Sequence, residues 1–132
     1  MPSTKSILLA DDSRSIRHLV STHLRDAGYS VIEAENGQQG IERAKGEDLD
    51  LVLTDLNMPV LDGYGLARGI RALPEHRSTP ILFVTTEAKA EKKVLAKEAG
   101  ANGWIVKPVP PARLLEVVSQ VISKSEGARN GN

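Results

Sequence analysis

Short apolar runs alternate with amphipathic stretches along the whole chain. Ile7-Leu8-Leu9-Ala10, Leu51-Val52-Leu53-Thr54, Ile81-Leu82-Phe83-Val84 and Trp104-Ile105-Val106 read as strands, and Tyr29 to Glu33 as a further one. Between them the apolar positions fall at helical spacing. Ser13 is placed to cap a first helix whose stripe is Ile16, Leu19, Val20, Leu24 and Ala27, ending at Gly28. Asn36-Gly37 opens a short second helix through Ile41 and Ala44. The third strand, Leu49 to Thr54, is nearly all apolar, the pattern of a central parallel strand buried on both faces. A long loop with Pro59 and Asp62-Gly63 as breakers leads to a third helix carrying Leu66, Ile70 and Leu73, and Pro80 opens the fourth strand. A fourth helix is expected from about Glu87 to Ala99, stopped by Gly100. Pro110-Pro111 suits the first turn of a fifth, with Leu114, Leu115, Val118, Val121 and Ile122 on its buried face.

Repeated strand–helix units require right-handed crossovers and put helices on both faces of a parallel sheet. For five strands the common order is 2-1-3-4-5, with a switch point between strands one and three. The expected architecture is α/β: a five-stranded parallel sheet in that order with five helices on both faces, one domain over residues 1–123. Residues 124–132 are polar and include Gly and Asn, and are expected to form a frayed tail.

Composition narrows the function classes. A length of 132 residues allows one domain with a real core. Zero formal net charge gives no overall pull toward nucleic acid, and no basic recognition helix follows the fifth helix. The absence of cysteine excludes disulfides, thiolate chemistry and zinc–thiolate sites. No stretch approaches the roughly 18 apolar residues of a membrane span. Met1-Pro2-Ser3-Thr4-Lys5 lacks the apolar core of a signal peptide, so a cytoplasmic protein without a membrane partner is expected. Lys89, Lys92, Lys93 and Lys97 cluster at helical spacing, as a solvated face or as a patch for an acidic protein partner. His18, His23 and His76 show no metal-binding spacing and are expected at the surface.

The chemistry lies at the strand ends. In an open parallel sheet the C-terminal strand ends converge on one edge, and ligands bind there. Asp11-Asp12 follow the first strand and Asp55 the third, Thr85 closes the fourth, and Lys107 follows the fifth. Adjacent carboxylates repel one another, and a bound cation removes the conflict. Oxygen-only ligands favour Mg²⁺ or Mn²⁺, and Mg²⁺ takes one or two carboxylates together with waters and phosphate oxygens. Asp12 and Asp55 are the candidate direct ligands, with Asp11 acting through water and the Asn57 backbone carbonyl completing the shell. Phosphoryl transfer asks a protein mainly for positioning and charge neutralisation. Lys107 can neutralise one phosphoryl oxygen and Thr85 can hydrogen-bond another, while Asp55 is the candidate nucleophile, giving an acyl phosphate. Taken singly, each residue could be a helix cap, a strand residue or a surface lysine covering the sheet edge. Those readings do not explain why all of them converge on one edge.

In this order and spacing, Asp11-Asp12, Asp55 with Asn57-Met58-Pro59 and Asp62-Gly63, Val84-Thr85 and Lys107-Pro108 resemble the receiver domain of two-component response regulators. The resemblance covers about Ser6 to Ile122. With Asn57, Glu87 and no output domain, the chain is similar to single-domain chemotaxis regulators of the CheY type. The resemblance implies a flavodoxin-like, CheY-like fold. It implies phosphate acceptance on Asp55 from a histidine kinase, with Asp11, Asp12 and the Asn57 carbonyl organising Mg²⁺. Phosphotransfer and autodephosphorylation would be self-catalysed, without conventional enzyme turnover. Thr85 would move toward the phosphoryl group and Trp104 would repack inward behind it. Lys107-Pro108 would be a cis bond. The face made by the fourth helix, fifth strand and fifth helix would then change its affinity for a target protein, such as the flagellar motor switch. Lys89, Lys93 and Trp104 are the expected contacts on that face, and the protein is expected to be a monomer.

Three positions depart from the family's usual pattern. Thr86 stands where a smaller residue is more common, and with Asn57 and Glu87 it is expected to set turnover. Trp104 replaces a Tyr or Phe, and Val109 an often aromatic neighbour of the proline. Within the family the alternative role is a phosphate sink for a shared kinase. Outside it, a haloacid-dehalogenase-like phosphohydrolase would need an acid two residues after the nucleophile, where this chain has Asn57, whose amide cannot shuttle a proton near neutral pH. A flavin-phosphate binder would need amides and hydroxyls after the first strand, where Asp11-Asp12 would repel the phosphate.

Overall fold

A computed structural model of the chain describes residues 4–130, the side chains of residues 128–130 excepted. β1 (Ser6–Ala10), β2 (Ser30–Ala34), β3 (Leu51–Thr54), β4 (Ile81–Thr85) and β5 (Gly103–Val106) form one sheet in the order β2-β1-β3-β4-β5. Every pairing is parallel. The helices are α1 (Arg14–Asp26), α2 (Gly37–Ala44), α3 (Gly63–Ala72), α4 (Ala90–Ala99) and α5 (Pro111–Asn130). This is the five-stranded, doubly wound fold the alternating pattern predicts.

Strand alternation sorts the core into two layers. Leu8, Val52 and Phe83 face one side and pack with Leu66, Ala67 and Ile70 of α3. Ile7, Leu9, Leu51, Leu53 and Leu82 face the other and pack with Leu24 of α1 and Leu114, Val118 and Ile122 of α5. Leu51, Val52 and Leu53 are wholly withdrawn from solvent, as expected of a central strand covered on both faces.

The helix ends follow their capping residues. The Ser13, Asn36 and Asp62 side chains accept the amides of Ile16, Gln39 and Gly65, and Gly100 closes α4 in the left-handed conformation at φ 115°. α4 begins at Ala90 rather than near Glu87, and its N-cap Lys89 makes no side-chain capping bond. α5 runs on through the stretch that composition reads as a frayed tail. Glu126 there is paired with Lys5, and residues 131–132 of that stretch lie outside the described residues.

One expectation is corrected. His76 is not at the surface: it closes a short 3₁₀ turn (Pro74–His76) and is 1% exposed. Its Nδ1 lies 3.0 Å from the Thr79 hydroxyl and its Nε2 lies 2.8 Å from the Ala44 carbonyl, so both ring nitrogens are satisfied in the interior. No local pattern could announce the partner at the end of α2. In α1, Ile16 and Leu19 of the apolar stripe remain exposed, at 38% and 53%. They line an open groove with Val20, Pro108 and Val109 and are not packed into the core.

Candidate functional site

The sheet delivers the predicted residues to one edge. Asp11 continues β1 by one bond, its amide donating to the Ala34 carbonyl at 3.0 Å, and the Asp55 amide donates to the Ala10 carbonyl at 3.0 Å. The two carboxylates therefore emerge from neighbouring strands on either side of the switch point. Each of Asp11, Asp12 and Asp55 offers an oxygen within 4.8 Å of the others. Asp11 is nearly buried, Asp55 partly buried and Asp12 exposed.

Lys107 supplies the compensating charge. Its Nζ donates to Asp11 Oδ2 at 2.9 Å and to Asp55 Oδ2 at 3.3 Å. The remaining oxygens are held by backbone amides, Asp11 Oδ1 by Ser13 at 2.9 Å and Asp55 Oδ1 by Leu56 at 2.7 Å. Burial pushes the Lys107 pKa down, but hydrogen bonds and charge from Asp11, then Asp55, outweigh it and leave the pKa raised. The ammonium is held charged between two carboxylates.

Three carboxylates against one ammonium leave the cluster net negative, with hard oxygen donors only. That donor set fits a small divalent cation of the Mg²⁺ class.

The loop from Leu56 to Asp62 is tightly closed. The Gly63 amide donates to the Leu56 carbonyl at 2.8 Å, and the Gly37 amide at the start of α2 donates to the Leu61 carbonyl at 2.8 Å. At the tip, the Leu61 amide reaches back to the Pro59 carbonyl at 2.8 Å across Val60 at φ 71°, a strained γ-turn for a β-branched residue. Asn57 lies in this loop and is exposed. α3 starts so close to β3 that a Cβ on Gly63 would stand 2.5 Å from the Asp55 carbonyl.

Thr85 is fully buried at the end of β4, its hydroxyl accepting the Glu87 amide at 3.4 Å and its carbonyl accepting the Lys107 amide at 2.8 Å. Thr86 is exposed and Glu87 half-exposed. Lys107–Pro108 is a cis bond. The Trp104 ring stacks on Phe83 with centroids 5.5 Å apart and 6° between planes, and its Nε1 donates to the Glu87 carbonyl at 2.9 Å. Lys89, at the N-cap of α4, and Lys93, within it, are exposed.

Thus Asp11, Asp12, Asp55 and Lys107 come together as one cluster, while Thr85 closes β4 and Asn57 lies in the loop after β3 on the same edge. Sequence reasoning missed Arg17. Its Nη1 donates to the Asp11 backbone carbonyl at 2.7 Å and its Nε to Glu33 at 3.1 Å. Nothing in the pattern of α1 distinguishes it from a solvated arginine.

A family model described as the response regulator receiver domain matches residues 7–119. The chain is 40% identical over 119 residues to chemotaxis protein CheY-3 of Vibrio cholerae serotype O1, covering 89% of this chain and 92% of that protein. It is 34% identical over 122 residues to chemotaxis protein CheY of Pseudomonas aeruginosa, covering 92% of this chain and 98% of that one. Among solved structures it matches CheY4 of Vibrio cholerae with a TM-score of 0.87 at 40% identity, covering 90% of this chain and 99% of the other. It also matches the receiver domain of a sensor histidine kinase from Pseudomonas aeruginosa PAO1 with a TM-score of 0.85 at 31% identity, over 92% and 99% of the two chains; that structure holds a magnesium ion coordinated in its active-site cleft.

Proposed function

The chain belongs to the response regulator receiver domain family, and from that premise we propose that it is a phosphorylation-switched regulator that takes its phosphoryl group on Asp55 from a histidine kinase. One observation carries the reading: the Asp55 carboxylate stands at the end of the central strand, oriented by the Leu56 amide and within reach of the Lys107 ammonium. An Asp55 oxygen attacks phosphorus in line, the new O–P bond forms as the P–N bond to the donor imidazole breaks, and the imidazole departs with the bonding pair. Lys107 then neutralises a phosphoryl oxygen, and the Thr85 hydroxyl turns from the Glu87 amide to another.

Asp12, Asp55 and the Asn57 carbonyl would hold Mg²⁺ in this reading, with Asp11 acting through water; Mn²⁺ would suit the same donors. The ion, when bound, offsets the charge of carboxylate and phosphoryl group together. In this reading Thr86 and Glu87, with Asn57, set how fast water removes the phosphoryl group. Movement of Thr85 pulls on the loop whose Glu87 carbonyl receives the Trp104 indole, which couples the site to the face bearing Lys89, Lys93 and Trp104. That face engages the target protein, with a chemotaxis role in the cytoplasm as the specific expectation. The likeness to chemotaxis regulators at 34–40% identity supports that role.

The test is intact-protein mass after incubation with acetyl phosphate and Mg²⁺. Wild type should gain one phosphoryl group, and Asp55→Asn, or wild type without Mg²⁺, should gain none. An adduct that persists on Asp55→Asn would overturn the assignment.

A further inference from the structure

The β1–α1 turn carries two of the three clustered carboxylates, and every polar group of Asp11 is engaged. Its amide donates to Ala34, its Oδ1 accepts from Ser13, its Oδ2 from Lys107 and its backbone carbonyl from Arg17. The first joins the end of β1 to β2, and the second is made within the turn. The Lys107 bond lies on the reacting side, where a cation or a phosphoryl oxygen competes for the same atoms. The Arg17 bond alone arrives from a side chain behind the turn and leaves both carboxylate oxygens free to respond to an occupant.

The Arg17 guanidinium is itself well fixed. Its side chain is 14% exposed, and Glu33 on β2, 26% exposed, supplies the counter-charge that a half-buried cation needs. Glu33 is braced in turn by Arg25, 3.3 Å away, and its carbonyl accepts from Arg43. A chain of contacts therefore runs from α1 and α2 through the edge strand to the carbonyl of a clustered carboxylate residue.

We propose that Arg17 is a positioning residue for the cation site, holding the β1–α1 turn through the Asp11 carbonyl so that Asp11 and Asp12 stay aimed at Asp55. The proposal rests on the receiver reading of the site given above. It makes a prediction whose sign is informative. As a bare positive charge near a cation site, Arg17 would oppose Mg²⁺, and removing it would tighten binding. As a positioning group, its loss loosens the turn and weakens binding, as loss of groups that orient metal ligands commonly does, by about tenfold or more.

The experiment is calorimetric titration of the full chain with Mg²⁺ alone, for wild type, Arg17→Met, Arg17→Lys and Arg25→Met, with thermal unfolding of each metal-free protein. Arg17→Met keeps the aliphatic stem and should weaken Mg²⁺ binding about tenfold. Arg17→Lys keeps the charge but has no planar fork to bond two partners, and should weaken binding as well. Arg25→Met loosens Glu33 without touching the turn, and should leave the affinity within about twofold, since bonds to the Asp11 carbonyl survive. If Arg17→Met fails to fold, the Arg17→Lys titration decides alone. Unchanged or tighter binding in the Arg17 variants overturns the proposal, as does equal weakening by Arg25→Met. A wild type that binds no Mg²⁺ and accepts no phosphoryl group sinks the receiver chemistry and this proposal together. A wild type that does both, beside unaffected Arg17 variants, overturns this proposal only.

Discussion

Gly63 opens α3 at the point where that helix presses on the end of β3, so the size of one side chain there controls how the Asp55 loop fits. A Cβ at this position would stand 2.5 Å from the Asp55 carbonyl, 2.8 Å from the Phe83 ring and 3.0 Å from the Leu56 Cα. Two of these neighbours are backbone, and Phe83 is wholly buried, so none can step aside cheaply. Overpacking of this kind costs about 1–3 kcal/mol, and backbone obstacles argue for the upper part of that range. Against it stands the better helix propensity of Ala, at most about 1 kcal/mol. Gly63→Ala should therefore lose about 2 kcal/mol in urea unfolding, with an unchanged m-value, and take up phosphoryl from acetyl phosphate more slowly because the Asp55 carbonyl has been displaced. Gly69→Ala is the matched control. It lies in the same helix, but the three atoms nearest its Cβ all belong to the Ile41 side chain, whose outer carbons can shift where backbone cannot. The control should be near neutral. Gly63→Ala as stable as wild type, or equal loss in both variants, would refute the argument from backbone proximity.

Lys107→Met should separate the pair from the rest of the fold by its pH dependence. The folded Lys107 pKa lies above its ordinary value of 10.5, so the folded state holds the proton more tightly than the unfolded chain. Its contribution is full below about pH 10.5 and is lost as pH rises through the folded value. The stability gap between wild type and Lys107→Met should be widest at neutral pH and close in the alkaline range, and a gap that stays constant would contradict the pairing. His76→Leu leaves the Ala44 carbonyl and Thr79 hydroxyl without their buried partner, and should cost about 2–3 kcal/mol in denaturant unfolding. An unchanged midpoint would show that these groups find other partners. Trp104→Phe keeps a ring against Phe83 but loses the bond to Glu87, and should cost about 1 kcal/mol while speeding amide exchange in the loop of residues 86–89. Exchange at wild-type rates would show that the indole does not tether that loop.

Much of the fold was legible in the order of residues because the signals are local. Alternation in β1 sends Leu8 to one face and Ile7 and Leu9 to the other, an unbroken apolar run marks β3 as central, and Ser13 and Asp62 announce the helices they cap. The carboxylates and the lysine were legible for a related reason: strand ends in a parallel sheet share one edge, so residues far apart in sequence inherit a common address from topology. What failed was burial that depends on a distant partner. His76 looks like any polar turn residue until the end of α2 is placed over it.

The sequence by itself determined the order and type of the main secondary elements, the sheet order and the convergence of Asp11, Asp12, Asp55 and Lys107 on one edge, since periodicity, caps and chain topology are properties of short segments in series. Only the tertiary structure decided which atoms meet. It placed the Lys107 ammonium between two carboxylates, the Trp104 indole on the Glu87 carbonyl and the Arg17 guanidinium behind Asp11. Such contacts are set by angstrom-scale distances between elements that are remote along the chain, and no one-dimensional pattern encodes them.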